Sequence, residues 1–307
     1  MKIGALIVTT GLSPVSGVTA LLSEVGPVTA GQRMISVFQC TGVSMIGLVV
    51  GPEDKKAERQ LAQSGVIFLR CEKDASFPDG VREGLRSMDR KFDRIFVVPG
   101  DAPLVLPETL RLLLRTQAHI AVPVSNHISG CPVLLDSAAV DAVLKAPPGS
   151  GLEHIIANSA LSKEYVPVTD PGIFLRGEEA FHSQGAIEQQ NDQLSRPVAE
   201  VSICNGSPLY DRRLAMLLHL TEDTRSVQDA CSLMQISYST AWKMLNHAED
   251  ELGFPLVVRN RGGAGGNGTL LTEKGKAFMT AYDRFSEHLD REAQRLYTEL
   301  FASSQWN

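Results

Sequence analysis

Four consecutive side chains near the C-terminus can form hydrogen bonds, and a lysine follows them within about one helical turn. They are Ser237, Tyr238, Ser239, Thr240 and Lys243. Hydroxyl and ammonium groups are suited to binding phosphates and base edges, and the unpaired backbone N–H groups at the start of a helix also attract a phosphate. A helix that begins at these residues is therefore predicted to present a surface to nucleic acid.

Helical spacing on both sides of this cluster predicts the elements that position it. One set of small or apolar residues belongs to a short helix and its turn: Val227, Ala230, Cys231, Met234 and Ile236. A second set belongs to the next helix: Ala241, Leu245, Ala248 and Leu252. Two helices joined in this way form a helix-turn-helix, whose second helix enters the DNA major groove. Trp242 also lies at helical spacing, and we assign it to the core.

A glycine-rich segment follows the second helix. Two strand-like stretches, residues 256–259 and 269–272, flank the sequence Arg-Gly-Gly-Ala-Gly-Gly-Asn-Gly at 261–268. Because residues without bulky side chains let a ribbon approach a sugar-phosphate backbone, we interpret this segment as a wing with Arg259 and Arg261 as its cations. A flexible linker is the alternative interpretation of such a run.

Residues 207–305 resemble the winged-helix domain of the molybdate-responsive repressors and, more distantly, the LysR-type regulators. The resemblance is carried by Ile-Ser-Tyr-Ser-Thr-Ala-Trp at 236–242, Glu-Leu-Gly-Phe-Pro-Leu-Val at 251–257, and the wing followed by Leu-Thr-Glu-Lys-Gly at 271–275. In that family the second helix and the wing bind double-stranded DNA. The resemblance implies DNA contacts for Ser237, Tyr238, Ser239, Thr240, Lys243, Arg259 and Arg261.

Charge and a last apolar stripe refine this expectation. From residue 207 onward eleven Lys and Arg face thirteen Asp and Glu, a net charge of −2, so affinity for DNA must come from local placement. A near-heptad stripe runs along one long terminal helix: Phe278, Tyr282, Phe285, Leu289, Leu296 and Leu300. Such a stripe packs either on its own domain or on a second copy. The resemblance favours a homodimer that reads two half-sites.

The first half of the chain alternates apolar runs with segments of helical spacing. The predicted strands are residues 3–8, 45–50, 66–69, 94–98 and 120–122. The predicted helices are residues 32–41, 53–64, 79–88, 108–115 and 137–144. This alternation predicts an α/β fold with a mostly parallel, Rossmann-like sheet covered on both faces. Ligands of such sheets bind at the carboxyl ends of the strands.

Two of those strand ends carry polar loops. Residues 9–17 form a loop with glycines and hydroxyls that could hold phosphates, and Asp101 follows the fourth strand between two prolines. With the segments at 77–85 and 130–135, these loops resemble the nucleotidyltransferases that attach CMP or GMP to molybdenum cofactor, over residues 1–180. The resemblance implies a Mg²⁺ site at Asp101 and a nucleotide or effector site that comprises Gly11, Ser13, Asp79, Gly80 and Asp101. Plain turn roles for Gly11 and Ser13, and a cap or turn role for Asp101, are the alternatives.

Departures from the resembled family argue against catalysis. Residues 11–31 contain no Lys or Arg, Cys131 stands where a histidine usually precedes the proline, and Arg176-Gly-Glu-Glu-Ala replaces an acidic cluster at 176–180. Nucleotidyl transfer depends on positioned cations, and each preorganised group is worth about 10²–10³ in rate. Arg33 could still supply a charge and Glu178 or Glu179 a metal ligand. No catalytic residue is assigned.

Length and cysteine usage set the remaining bounds. The 307 residues are predicted to form an α/β domain at 1–185, a linker at 186–207, and a winged-helix domain with its long dimerisation helix at 208–307. Five scattered cysteines and the lack of a long apolar run indicate a cytoplasmic protein without a membrane partner.

Two main functional hypotheses follow, beside a third in which the winged helix is a module that binds another protein. The first is a DNA-binding regulator whose front domain senses a nucleotide, a pterin, molybdate or tungstate, with Mg²⁺ as the ion that would accompany a nucleotide or pterin. The second is an active molybdenum cofactor cytidylyl- or guanylyltransferase that carries a regulatory winged helix. The operator sequence and the sign of regulation are not encoded in these patterns.

Overall fold

The computed structural model describes residues 1–12, 19–62, 65–88, 92–194, 197–260 and 268–301. It divides the chain into two compact units, Met1–Ser195 and Arg196–Asn307. Among the helices of these described ranges, none is long and apolar enough to cross a membrane.

The first unit is built on an eight-stranded sheet. Its strands, with the short pair β2 and β3 that forms a separate ribbon, are β1 (Ile3–Val8), β2 (Glu24–Val25), β3 (Val28–Thr29), β4 (Met45–Val50), β5 (Val66–Arg70), β6 (Arg94–Pro99), β7 (Ile120–Ser125), β8 (Ile128–Ser129), β9 (Val133–Asp136) and β10 (Lys163–Pro167). The sheet order is β10-β7-β9-β6-β1-β4-β5, with β8 paired to β7. Strand β1 lies inside the sheet with all six residues buried, as expected for a strand covered on both faces.

The predicted mostly parallel sheet is confirmed, and it contains three strands beyond the five predicted: β8, β9 and β10. Strand β8 has only two residues. Strand β9 runs antiparallel to both β6 and β7. It has only four residues and leads directly into a helix capped by Asp136, so its apolar run is too short to stand out. Strand β10 is an edge strand in which only Val166 is buried, so it lacks a continuous apolar pattern.

Eight α-helices accompany this sheet within the described residues. They are α1 (Ala30–Gln39), α2 (Lys55–Leu61), α3 (Phe77–Met88), α4 (Pro107–Leu114), α5 (Ser137–Lys145), α6 (Leu152–Asn158), α7 (Gly177–Phe181) and α8 (Gln184–Leu194). Each of the five predicted helices has a counterpart in this set, with ends that differ by a few residues. Short 3-10 turns at Ala20–Leu22, Pro52–Asp54 and Pro171–Ile173 complete the described helical structure of the unit.

Helix α8 occupies much of the stretch that the sequence analysis assigns to a linker. The side-chain amide of Gln190 is fully buried and donates to the carbonyls of Pro103 and Val105 at 2.9 and 2.7 Å. Its carbonyl oxygen accepts from Arg33 Nη1 at 2.8 Å. These bonds attach α8 to the first unit, which extends to Ser195, and the second unit begins at Arg196. The sequence of α8 is polar and therefore suggested a linker. Its contacts with the first unit include buried polar side chains, which an apolar pattern does not reveal.

The second unit consists of a helical core with two antiparallel strand pairs. Its elements are β11 (Ser202–Asn205), β12 (Ser207–Asp211), α9 (Arg212–Thr224), α10 (Val227–Met234), α11 (Tyr238–Leu252), β13 (Val257–Asn260), β14 (Gly268–Leu271) and α12 (Glu273–Phe301). Residues from each predicted helix of the helix-turn-helix are buried, among them Val227, Ala230, Met234, Ala241, Leu245 and Ala248. The fold class that the sequence predicts for this half, a helix-turn-helix region with a long final helix, is confirmed.

Candidate functional site

The carboxyl ends of β1 and β6 bring the two polar loops of the first unit together. The backbone N–H of Gly100 donates to the carbonyl of Val8 at 2.8 Å. A Cβ added to Gly100 would lie 2.8 Å from Thr9 Cγ2, so the two loops are in direct contact. Asp101 follows this contact. The structure thus places the predicted metal-binding aspartate beside the loop that begins after β1.

Gly11 closes that loop against the first turn of α3. Its φ of +70° is in the left-handed region, and an added Cβ would lie 2.4 Å from the backbone nitrogen of Phe77. Thr10 Oγ1 donates to the carbonyl of Ser76 at 3.3 Å across the same contact. This geometry gives Gly11 a structural role at the site. Ser13, the next predicted residue, lies outside the described residues.

Gly80 packs against the same loop from within α3, and this contact leads to a prediction. An added Cβ would lie 1.9 Å from Thr10 Oγ1 and 2.9 Å from Val8 Cγ1. We expect Gly80→Ala to lower the free energy of unfolding of the first unit by about 1–3 kcal/mol, because the helix must move away from β1. Urea denaturation followed by circular dichroism measures this change.

Gly185→Ala is the matched control for that substitution. Gly185 lies in the first turn of α8, and an added Cβ would meet no atom within 4 Å. The alanine should leave stability unchanged or raise it slightly, because alanine has the higher helix propensity. Equal effects of the two substitutions would show that close packing at Gly80 is unimportant.

Asp79 forms a capping box with Ser76 at the start of α3. The Ser76 backbone N–H donates to Asp79 Oδ2 at 3.3 Å, and the Asp79 backbone N–H donates to Ser76 Oγ at the same distance. The Ser76 hydroxyl also donates to the Asp79 carboxylate at 2.5 Å. These reciprocal bonds satisfy N–H groups that a helix start leaves unpaired. The described role of Asp79 is therefore to cap α3 beside the Gly11 loop.

Asp101 forms an ion pair with Arg176. Oδ1 of the carboxylate accepts from Arg176 Nε at 2.9 Å and lies 2.7 Å from Arg176 Nη2. The backbone carbonyl of Asp101 accepts from the N–H of Gly177 at 2.8 Å. The Asp101 side chain is 18% exposed and that of Arg176 46% exposed, so the pair lies at the surface of the site. A guanidinium thus neutralises the carboxylate that was predicted to bind metal.

The other described groups that could bind a metal ion in this part of the unit do not form a cluster with Asp101. Burial raises the pKa of the Cys131 thiol to about 12, so this side chain is a neutral thiol at neutral pH. Asp170 uses both carboxylate oxygens in bonds to its own unit. Among the described residues, no three His, Cys, Asp or Glu side chains are grouped closely enough to hold a metal ion. Glu178 and Glu179 are exposed on α7 and do not form such a group.

Arg33, which could have supplied a second positive charge to this site, forms its hydrogen bonds with other parts of the unit. Its side chain is buried, and Nε and Nη2 donate to the carbonyl of Val25 at 3.2 and 2.9 Å. Nη1 donates to Gln190 and Asn191 of α8 at 2.8 and 2.9 Å. Burial lowers the pKa of this guanidinium. Arg33 therefore ties α1 to α8 and does not supply a free charge.

In the second unit, Ser237 caps the second helix of the helix-turn-helix. Its Oγ accepts from the backbone N–H of Thr240 at 3.0 Å, and it lies 2.9 Å from Ser239 Oγ and 2.7 Å from Thr240 Oγ1. The preceding turn passes through Gln235 in the left-handed region, with φ 54°. Three of the predicted hydroxyls are thus hydrogen-bonded together at the N-terminus of α11.

The other predicted residues of α11 are exposed. The Tyr238 side chain is 49% exposed, and its ring meets the half-buried Trp242 ring edge to face with centroids 6.0 Å apart. Lys243 is exposed further along α11. The exposed N-terminal part of α11 therefore displays a phenol, hydroxyls and an ammonium group.

The wing strands are joined to the rest of the unit by contacts that the sequence analysis missed. Strands β13 and β14 pair antiparallel, with Arg259 opposite Thr269, while Arg261 lies outside the described residues. Glu249 Oε1 accepts from the backbone N–H groups of Leu256 and Val257 at 2.6 and 3.0 Å. This carboxylate therefore fixes the start of β13 to α11. In the sequence it is one of three consecutive acidic residues, and nothing distinguishes it from the other two.

Helix α12 divides the predicted apolar stripe into two parts. Tyr282 is buried in the second unit, and its ring meets that of Tyr210 with centroids 4.9 Å apart. Later stripe residues are exposed: Phe285 at 52%, Leu289 at 36%, Leu296 at 40% and Leu300 at 59%. The first part of the stripe thus packs in the core of its own unit, whereas the later residues remain exposed in the part of the chain that the structure describes. Packing of these later residues on a second copy stays a prediction.

Two family models match the chain, one on each unit. The model described as the MobA-like NTP transferase domain matches residues 6–164. The model described as the bacterial regulatory helix-turn-helix protein of the lysR family matches residues 212–276. The chain is also 34% identical over 95 residues to the molybdenum transport protein ModE of Azotobacter vinelandii. That match covers 30% of this chain, and the chain spans about a third (35%) of the length of this relative.

Solved structures agree on the fold of the first unit. A nucleotidyl transferase from Methanothermobacter thermautotroptrophicus has a TM-score of 0.50 and 18% identity, covering 63% of this chain and 98% of its own. The Rv0371c homolog from Mycobacterium sp. strain JC1 has a TM-score of 0.51 and 14% identity, covering 62% of this chain and 96% of its own. At these identities the likeness concerns the fold alone.

Proposed function

Because the chain belongs to the family of the MobA-like NTP transferase domain, with a LysR-type helix-turn-helix in its second unit, we propose that it is a ligand-responsive, DNA-binding transcription regulator. The second unit binds double-stranded DNA in the cytoplasm, and the first unit binds a small molecule that alters this binding. The single observation that carries the proposal is the exposed N-terminus of α11, which displays Tyr238, Ser239 and Lys243.

The geometry of the second unit supports DNA binding in several ways. The hydrogen bonds of Ser237 fix the hydroxyls at the helix start, so the donors are held in place before DNA arrives. Glu249 fixes the start of the first wing strand to α11, so the wing strands are attached to the same helix that is proposed to enter the major groove. A helix in the major groove and a ribbon on the adjacent backbone together combine base reading with phosphate contacts.

The exposed part of α12 supports the proposal that the chain forms a homodimer. The helix has 29 residues, about 43 Å at 1.5 Å per residue, and its apolar stripe continues past the part packed in the unit. A second copy of the same helix can cover Phe285, Leu289, Leu296 and Leu300 by two-fold pairing. Two α11 helices related in this way would read two half-sites on the same duplex.

The first unit is proposed to sense rather than to catalyse. The carboxylate expected to hold Mg²⁺ is paired with Arg176, and Arg33 is buried in contacts with α8. Nucleotidyl transfer without the divalent ion that neutralises phosphate charge loses a main source of rate acceleration. A nucleotide, a pterin, molybdate or tungstate is the proposed effector, and the likeness to ModE supports a link to molybdenum. The effector can act on DNA affinity only if it binds two states of the chain unequally.

DNA binding is tested with the full chain and a fluorescent duplex taken from upstream of its own gene. We expect a sequence-selective complex whose affinity falls with salt. Lys243→Ala should reduce the salt slope by about 1 if the lysine contacts a phosphate. Lys145→Ala is the matched control, because Lys145 is an exposed lysine of the first unit with 79% of its side chain accessible.

The outcome also separates the two hypotheses. No selective complex at any salt concentration would exclude the proposed regulator. Pyrophosphate release that requires an NTP, Mg²⁺ and a molybdopterin substrate, and that disappears in Asp101→Ala, would instead establish the nucleotidyltransferase. Both results together would make the chain an enzyme with a regulatory DNA-binding unit.

A further inference from the structure

Arg176 forms an ion pair with Asp101, the carboxylate that the resemblance assigns to a divalent metal ion. We infer that the Arg176 guanidinium takes the place of a divalent ion at Asp101 and prevents such an ion from binding there. The first unit then binds the anionic group of its ligand directly, without a divalent ion. The inference rests on the ligand-binding part of the proposed function and is independent of whether the second unit binds DNA.

A backbone hydrogen bond holds residue 176 beside Asp101. The N–H of Gly177 donates to the carbonyl of Asp101 at 2.8 Å, so residue 176 is held next to the strand tip before its side chain makes any contact. Arg176 itself is extended, with φ −137° and ψ 152°, and Gly177 takes a positive φ of 55°. The backbone hydrogen bond thus brings the start of the Arg176 side chain close to the carboxylate with which it pairs.

The side-chain geometry leaves little room for a metal on the same oxygen. Nε and Nη2 of Arg176 lie 2.9 and 2.7 Å from Oδ1 of Asp101. A divalent ion bound there would be within a few ångströms of the guanidinium, and like charges at such distances repel strongly. Mg²⁺ also needs an octahedral set of oxygen ligands, usually one or two carboxylates with water and phosphates. Asp101 is a carboxylate of this kind, and the Arg176 guanidinium holds its Oδ1.

The same geometry indicates what kind of ligand fits. A guanidinium has five N–H groups, and Asp101 takes two of them, which leaves the outer edge of Arg176 for an acceptor. The Arg176 side chain is 46% exposed, so that edge is accessible to a ligand. A planar fork of N–H donors binds an oxyanion in a bidentate manner. The ligand is therefore a molecule that presents an oxyanion group to Arg176. Both a phosphate ester and a free tetrahedral oxyanion meet this requirement.

The test measures Mn²⁺ binding to the full chain by the loss of the electron paramagnetic resonance signal of free Mn²⁺. We expect Arg176→Ala and Arg176→Gln to bind Mn²⁺ at least about tenfold more tightly than the unsubstituted chain, because a single adjacent charge is worth that much or more. The gain should disappear when Asp101→Asn is added. Circular dichroism verifies that each variant is folded, and the glutamine variant provides a closer match in size.

Arg86→Ala is the matched control for releasing a carboxylate. Arg86 forms an exposed ion pair with Glu83 on α3, so its removal frees a surface carboxylate of the same unit. It should not increase Mn²⁺ binding. Tight Mn²⁺ binding by the unsubstituted chain that Asp101→Asn abolishes would overturn the inference. So would folded Arg176 variants that gain no binding, because Arg176 would then not be what closes the site.

A second measurement identifies the source of the oxyanion. The thermal midpoint of the first unit is followed with CTP, GTP, molybdate or tungstate in the presence of EDTA, since a ligand that binds the native state raises it. A rise with any of these probes that is lost in Arg176→Ala supports the inference, and the effective probe separates nucleotide phosphate from free oxyanion. A rise that appears only with MgCl₂ would contradict it.

Discussion

The double substitution Leu289→Arg and Leu296→Arg is expected to lower the affinity for a two-half-site duplex by about a hundredfold or more. Linking two DNA-reading units raises affinity by roughly 10²–10⁴ over one unit alone, and this gain is lost when the pair separates. Both leucines are exposed in the unit, at 36% and 40%, so their replacement leaves the core of the unit intact. The loss therefore reports on pairing between two copies.

The choice of arginine makes the result unambiguous. Added positive charge strengthens the general attraction to DNA, so electrostatics alone predict tighter binding of the variant. Size-exclusion chromatography with light scattering should give a monomer for the variant and a dimer for the unsubstituted chain. On a duplex with a single half-site the two proteins should differ little, because only one unit is then engaged.

The matched control places the same charges on the other side of α12. Thr280 and Gln294 are exposed and lie away from the apolar stripe at 3.6 residues per turn. Thr280→Arg with Gln294→Arg should preserve the dimer and its affinity. If the leucine variant remains a dimer of unchanged affinity, the two copies do not pair through α12, and the proposed arrangement of half-sites is wrong.

Asp170→Ala is expected to reduce the free energy of unfolding of the first unit by about 3–5 kcal/mol. The buried carboxylate accepts from Leu106 N at 2.8 Å, Thr109 Oγ1 at 2.7 Å and Gly172 N at 2.8 Å. Each buried donor left without a partner costs about 1–3 kcal/mol. The three donors belong to the start of α4 and to the turn at Pro171–Ile173, so the loss also releases these segments from each other.

Urea denaturation of the full chain measures this effect, with the transition of the first unit followed separately from that of the second. Asp170→Asn keeps one acceptor oxygen and should lie between the alanine variant and the unsubstituted chain. Asp141→Ala is the control, because Asp141 is half exposed and only 3.6 Å from Lys145 in a surface pair, which is worth at most about 1 kcal/mol. Equal stability of Asp170→Ala and Asp141→Ala would show that the buried bonds of Asp170 contribute little.

The sequence by itself determined the elements whose residues repeat with a clear period. The parallel strands β1, β4, β5 and β6 are continuous apolar runs because both of their faces are covered, and the helix-turn-helix shows a 3.6-residue period because one face of each helix is buried. Ser237 was identifiable as part of a polar helix start for the same local reason. A local pattern is sufficient to predict an element when the same face or faces are buried along its whole length.

The tertiary structure alone decided the pairings between distant residues. Helix α8 has a polar sequence, and only its buried bonds from Gln190 to Pro103, Val105 and Arg33 attach it to the first unit. Asp101 and Arg176 are 75 residues apart, and no pattern in the chain states that they meet. The resemblance implies that an arginine replaces part of an acidic cluster, but the backbone bond from Gly177 to Asp101 decides whether that arginine lies beside the carboxylate. A periodic pattern depends on residues that are close together in the sequence. An ion pair between two loops depends instead on how the sheet brings its strand ends together.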